Sequence, residues 1–244
     1  MILRTEKICK YFGGLKAVDE VDFVLKKGQL KSIIGPNGAG KTTLFNLIAG
    51  AYLPTRGKVF LRDKDISRLT LNKVSRLGVV KTYQINHIFP HLPVFENIRI
   101  AAQVRQTSFN VWKQASSYRE INEEAARILE KVELIEKRNR PASTLSHGER
   151  RYLEIGIALA TKPEVLLLDE PTAGMSCAET NQCADMIKKL NSELGLSIVL
   201  VEHDMSVVMS ISEEILVMNE GRTLAEGTPR EVSDNEEVQR VYLG

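Results

Sequence analysis

The sequence predicts an α/β protein: a core of buried strands and crossover helices, interrupted by a helical insertion over residues 87–161. Three observations carry this. "LKSIIGPNGAGKTT" runs a short apolar strand into a glycine-rich turn and then a helix. "EVLLLDE" and "LSIVLVEHD" are continuous apolar runs, the pattern of parallel strands covered on both faces. Between them and the first strands the texture changes to a 3.6-residue period with charges opposite.

The elements follow in order. "KAVDEVDFVLKKGQLKSIIG" holds two apolar runs broken at Lys26-Lys27-Gly28, which predicts a hairpin or a strand-turn-strand. In "KTTLFNLIAG", Leu44, Leu47 and Ile48 share one helical face and Gly50 stops the helix. "GKVFLRDKDI" reads as a short strand and turn. "PVFENIRIAAQVRQ" is helical in pattern. "YREINEEAARILEKVELIEK" places Ile121, Ala125, Ile128, Leu129 and Val132 on one face, with a solvated charged face opposite. A further helix opens at Ser146 and carries Leu153, Ile157 and Leu159 toward a core. "CAETNQCADMIKKLNSEL" has crossover length and completes a βαβ unit. "EEILVMNEGRTLAEG" reads as a hairpin closed by Asn-Glu-Gly. Residues 1–244 form one domain in this reading.

Composition narrows the class. At 244 residues, 43% hydrophobic and 26% charged, the chain reads as an ordinary globular protein. A net charge of +2 without a dense basic block gives no reason to expect nucleic acid. The three cysteines, Cys9, Cys177 and Cys183, lack CxxC spacing, so neither a disulfide framework nor zinc is supported. Reduced thiols in a cytosolic protein are expected. "MILRTEKICKYFGG" lacks the apolar core of a signal peptide. No apolar run approaches the ~20 residues that span a bilayer.

"GPNGAGKTT" satisfies G-x-x-x-x-G-K-[ST] between a predicted strand and helix. Gly35, Pro36, Asn37, Gly38, Ala39 and Gly40 let the loop curl with N–H groups pointing inward, onto the helix starting near Lys41, Thr42 and Thr43. This is chemistry for a nucleotide's phosphates. Lys41 supplies a point charge, and the Thr42 hydroxyl is a Mg²⁺ ligand. The second half of such a site needs an acid at a strand end. "VLLLDE" delivers Asp169, suited to the Mg²⁺ shell, and Glu170, suited to a general base or water-orienting group. Adjacent acids after an aliphatic run are costly unless a cation meets them. His203 ends the next strand and should lie near Glu170, in reach of a γ-phosphate. Gln84 ends "VVKTYQ" at the hinge into the helical region, where a neutral amide can touch Mg²⁺ or water.

These pieces in this order resemble the ATP-binding cassette (ABC) ATPases, over essentially the whole chain. The resemblance implies a P-loop NTPase (RecA-like) core with an antiparallel β subdomain and an inserted α-helical subdomain. Its cofactors would be ATP and Mg²⁺. By position, Gln84 resembles the Q-loop glutamine and His203 the switch histidine. Phe12, before Gly13-Gly14, resembles the aromatic that stacks on adenine, with Tyr11 a neighbouring rival. "LSHGE" resembles the family signature LSGGQ, with His147 and Glu149 replacing glycine and glutamine. Ser176 stands where the D-loop aspartate is usual.

Within the family, "YFGGLKAVDEVDF", "AGM" after "DEPT", "RRYLEIGIALA", "VEHDM" and "EGTP…VYLG" are similar to ATPases of branched-chain amino-acid and related amide or urea importers. ATPases of lipid or lipopolysaccharide export share the "VYLG" ending more weakly. A non-transport ABC ATPase acting on nucleic acid or ribosomes would usually need a long coiled-coil insertion or two cassettes. A P-loop kinase would leave "LSHGE" and His203 unexplained.

Within one chain, the Ser-His-Glu cluster of "TLSHGERR" has no third group placed for a triad. Ser146 with Glu149 three residues on fits a capping box. The resemblance implies that this helix start (Ser146, Gly148, Glu149) also faces the γ-phosphate held by another subunit. The expected partners are a second copy or a related ABC ATPase arranged head-to-tail around two ATP, integral-membrane permease subunits, and indirectly a solute-binding protein. The expected place is the cytoplasmic face of the inner membrane. Ile88, Phe89, Leu92 and Phe95 in "INHIFPHLPVFENI" form either the permease-facing edge or packing within the helical subdomain. His147→Gly is expected to keep ATPase activity within about tenfold, since Ser146 and the Gly148 backbone carry the phosphate contact; steady-state phosphate release checks this.

Overall fold

In this computed structural model, residues 1–82, 88–103 and 119–243 are described. β1 (Leu3–Phe12) and β2 (Leu15–Leu25) pair antiparallel, and β2 alternates buried and exposed positions. β3 (Leu30–Ile34) is buried at every residue. This difference separates the two runs that the sequence left as hairpin or strand-turn-strand. A strand with a wet face suits an antiparallel sheet, and one without a wet face needs cover on both sides. β2 therefore joins β1, β4 (Arg56–Leu61) and β5 (Lys64–Asp65) in a four-stranded sheet ordered β2-β1-β4-β5, and β3 crosses into another. The hairpin alternative is excluded.

α1 (Lys41–Ile48) follows β3 and buries Leu44, Leu47 and Ile48 as expected. α2 (Leu71–Leu77) leads to β6 (Val79–Lys81). The helices α3 (Val94–Gln103), α4 (Arg119–Lys131) and α5 (His147–Ala160) come next and share one apolar cluster. Ile121, Ala125, Ile128, Leu129 and Val132 are all buried in it. Leu153 and Leu159 are buried too, while Ile157 is half-buried at its edge.

β7 (Val165–Asp169), α6 (Cys177–Leu194) and β8 (Ser197–Val201) form the expected βαβ unit, and α6 coincides with the segment read from the sequence. α7 (Met205–Ile211) leads to the hairpin of β9 (Glu214–Asn219) and β10 (Arg222–Gly227). The short α8 (Pro229–Ser233) and α9 (Glu236–Leu243) end the chain.

The second sheet is ordered β10-β9-β3-β8-β7-β6. All its neighbours are parallel except β9 and β10. The two sheets are tied by a buried charge. Lys31 of β3 donates to the Val24 carbonyl in β2 at 2.9 Å and pairs with Glu214 at 3.2 Å and with Glu226. A buried ammonium held on three sides restricts how β3 sits between the sheets. β8 lies between β3 and β7, so three parallel strands deliver their carboxyl ends side by side, where open α/β sheets place ligands.

Candidate nucleotide site

The loop from Gly35 to Gly40 leaves the carboxyl end of β3. Two of its glycines are dictated by contact. At Gly35 (φ +150°) a Cβ would stand 2.2 Å from the Met218 carbonyl oxygen. At Gly40 (φ +98°) it would stand 2.3 Å from that of Ala17. The loop is thus seated on β2 and on the β9–β10 turn, where Gly221 N–H donates to the Ala39 carbonyl at 3.1 Å. Asn37 and Gly38 are exposed at its rim.

Gly40 caps α1 without any side-chain hydrogen bond. The first-turn N–H groups and the positive end of the helix are therefore presented to an anion. Lys41 is 6% exposed and donates to the Gly35 and Pro36 carbonyls at 2.7 and 2.9 Å. Burial lowers its pKa, and the charges of Glu170 and Asp169 oppose that shift.

β7 and β8 are in register, with Asp169 opposite Val201. Asp169 is buried and pairs with Lys81 at 3.1 Å. Glu170 adopts a left-handed φ of +48° and its N–H donates to the Val201 carbonyl at 2.8 Å. Its Oε1 lies 2.8 Å from His203 Nε2. The acid and the histidine that the sequence placed on one sheet edge do meet there. The Thr42 hydroxyl and the Asp169 carboxylate are hard oxygen donors flanking the loop, the kind of set that binds Mg²⁺ through few protein ligands plus phosphate. Gln84 lies outside the described residues.

Tyr11 and Phe12 differ in their surroundings. Tyr11 donates its hydroxyl to Asp19 at 2.6 Å. That bond raises the Tyr11 pKa and, with Arg222, holds Asp19 down at about 2. Phe12 instead is 44% exposed, its ring edge-on to Tyr52 at 5.6 Å and Lys10 Nζ 5.0 Å from its centroid. Tyr11 is committed within the β subdomain, and Phe12 is the ring turned outward.

The capping box at the start of α5 is present: Glu149 N–H donates to Ser146 Oγ, and Ser146 N–H donates to the Glu149 carboxylate at 3.0 Å. Glu149 also pairs with Lys137; burial opposes, but Lys137 and the cap together keep its pKa low. The carboxylate is thus spent on the cap and Lys137. The other groups at this helix end are the Ser146 hydroxyl and the backbone around Gly148. His147 Nε2 stands 3.1 Å from the Ala173 carbonyl oxygen. Ser176 caps α6 through a second box with Glu179. Sequence reasoning missed Lys81, Tyr52 and Arg151; only the spacing of Arg151 from His147 along one helix offered a signal.

A phosphate loop, an acidic strand end and a histidine on the strand between them define a nucleotide-binding cassette. The chain belongs to the ABC transporter family, whose profile matches residues 18–173. A second profile, described as branched-chain amino acid ATP-binding cassette transporter, matches residues 222–244. The chain is 41% identical to the high-affinity branched-chain amino acid transport ATP-binding protein LivG of Escherichia coli (strain K12), covering 100% of this chain and 98% of that protein. It is 43% identical to BraF, named likewise, of Pseudomonas aeruginosa, with the same coverage. Among solved structures, the ADP conformation of an ATP-binding cassette of an ABC transporter superposes with a TM-score of 0.88 at 32% identity, covering 100% of this chain and 98% of that one. A dimeric post-hydrolysis cassette bound to ADP and Pi gives 0.79 at 27%, covering 93% and 99%.

Proposed function

We propose that this chain is the ATP-hydrolysing subunit of an importer for branched-chain amino acids or similar small polar solutes. It dimerises head-to-tail around two ATP and drives permease subunits from the cytoplasmic face of the membrane, with a solute-binding protein supplying cargo. The observation that carries the ATPase reading is the convergence of Lys41, Asp169, Glu170 and His203 at the ends of β3, β7 and β8. The cargo assignment rests on the relatives' names and on the match at residues 222–244.

In this reading the loop N–H groups and Lys41 bind the phosphates and offset charge developing in the transition state. Glu170 orients the attacking water and accepts its proton. His203 holds the Glu170 carboxylate and hydrogen-bonds the γ-phosphate. Thr42 and Asp169 would hold a Mg²⁺ ion, which neutralises phosphate charge when bound. Ser146 and the start of α5 close on the nucleotide of the other subunit.

Among the described residues no helix is long and apolar enough to cross a membrane, so the permease contact is a surface. Phe89 (52% exposed) and Leu92 are open to solvent, while Ile88 and Phe95 pack against the helical core. The first pair forms the apolar edge of that contact. A separate cavity of about 260 Å³ lies between α2, β6 and α5, lined by Leu71, Val80, Thr82 and Ile157 among others.

Phe12→Ala should raise the KM for ATP about tenfold and Tyr11→Phe less than about threefold, given the worth of one base–aromatic stack; initial-rate kinetics check this. The function is tested by co-expression with permease subunits: the chain should enter the membrane fraction only with them, and vesicles should take up branched-chain amino acids on ATP addition. Membrane binding without permeases, or ATP-driven lipid release instead of uptake, would contradict it.

A further inference from the structure

We propose that Arg151 and His147 form a clasp through which the start of α5 positions Glu170, linking the nucleotide of the other subunit to this chain's own water-orienting acid. This rests on the head-to-tail reading above. His147 and Arg151 are four residues apart and therefore share one face of α5. Arg151 Nη2 donates to the Asp169 carbonyl at 3.2 Å and to the Glu170 carbonyl at 3.0 Å. Its Nη1 pairs with Glu154 at 2.7 Å, one turn further along, and both side chains are largely buried. His147 adds the Ala173 carbonyl at 3.1 Å. Three carbonyls, one at the end of β7 and two in the turn after it, thus accept hydrogen bonds from, or lie against, one face of one helix.

That turn needs holding. Glu170 is a non-glycine residue at φ +48°, a conformation that persists only where its surroundings enforce it. Its N–H is held by Val201, its carbonyl by Arg151 and its carboxylate by His203. Of these three supports, only Arg151 comes from the helix whose cap is Ser146. A shift of the first turn of α5, when Ser146 engages phosphate across a dimer, is carried by the guanidinium to the peptide of Glu170. Arg151 touches no nucleotide in this arrangement. It is a positioning residue.

The test is the split between kcat and KM. Arg151→Gln should lower kcat about tenfold or more while the KM for ATP stays within about threefold. Arg151→Lys, which keeps a charged donor but not the planar fork, should recover part of the loss. ATP-driven dimerisation in a Glu170→Gln background should survive Arg151→Gln, although loss of the buried pair with Glu154 lowers the melting temperature. Should Arg151→Gln fail to fold, His147→Gly carries the test: about threefold lower kcat at unchanged KM. A kcat within twofold of the parent, or no recovery with lysine, would overturn the clasp alone. Parallel loss of kcat, KM and dimerisation would make Arg151 merely structural and overturn it as well. A parent protein without ATP-driven dimerisation would overturn the head-to-tail reading and the clasp together.

Discussion

Glu170→Gln lowers steady-state ATP turnover by about a hundredfold or more, the usual scale for removing a general base, and leaves ATP binding intact. The change keeps the side chain's shape and its reach to His203, 2.8 Å from the carboxylate oxygen. It removes only the capacity to accept a proton and the negative charge. The backbone supports of Glu170, from Val201 and Arg151, are untouched. With hydrolysis blocked and one repulsive charge gone from beside the γ-phosphate, the ATP-bound dimer should accumulate. Phosphate release together with light scattering in ATP reads both effects. Turnover within fivefold of the parent would remove Glu170 from its assigned role.

Lys41→Met lowers ATP affinity about a hundredfold or more, the scale of two charge-assisted hydrogen bonds lost in a buried site. The ammonium is nearly enclosed and satisfied by the Gly35 and Pro36 carbonyls. It lies where Asp169 and Glu170 both feel its charge, which is why they oppose the effect of burial on its pKa. Methionine fills similar volume but leaves two carbonyls and two acids without that cation. Lys81 still pairs with Asp169, so the fold should persist. Equilibrium nucleotide titration, with circular dichroism as the folding control, checks both statements. Unchanged affinity would place the phosphates elsewhere.

The legible parts of the fold were those in which local pattern and burial agree. α6 runs between Ser176 and Gly195, a capping box and a left-handed glycine, and both signals are visible in the sequence. The runs of β3, β7 and β8 are buried at every position, as continuous apolar sequence implies. The sheet change between β2 and β3 was not legible, because the Lys26–Gly28 turn suits either outcome. Lys31 was invisible for the opposite reason: a lysine inside a buried strand is explained only by Glu214 and Glu226, almost two hundred positions later in the chain.

The site divides the same way. Motif spacing placed Lys41, Asp169, Glu170 and His203, because each lies at the end of a recognisable strand or the start of a helix. The different surroundings of Phe12 and Tyr11 could not be read from the sequence, because the Tyr11–Asp19 contact depends on strand pairing. The sequence assigned Glu149 to the nucleotide, and within the chain it also pairs with Lys137 and completes the Ser146 cap, the first of which spacing could not show. His147 and Arg151 acquire meaning only once α5 is laid against the turn after β7.

The central claim is that one chain holds two half-sites and no complete one. Its most direct measurement is ATPase rate per chain across a range of protein concentration, with sedimentation reporting the monomer fraction. The rate per chain should climb with concentration while monomer predominates and level off as the dimer forms. A constant rate per chain in a verified monomer would contradict it.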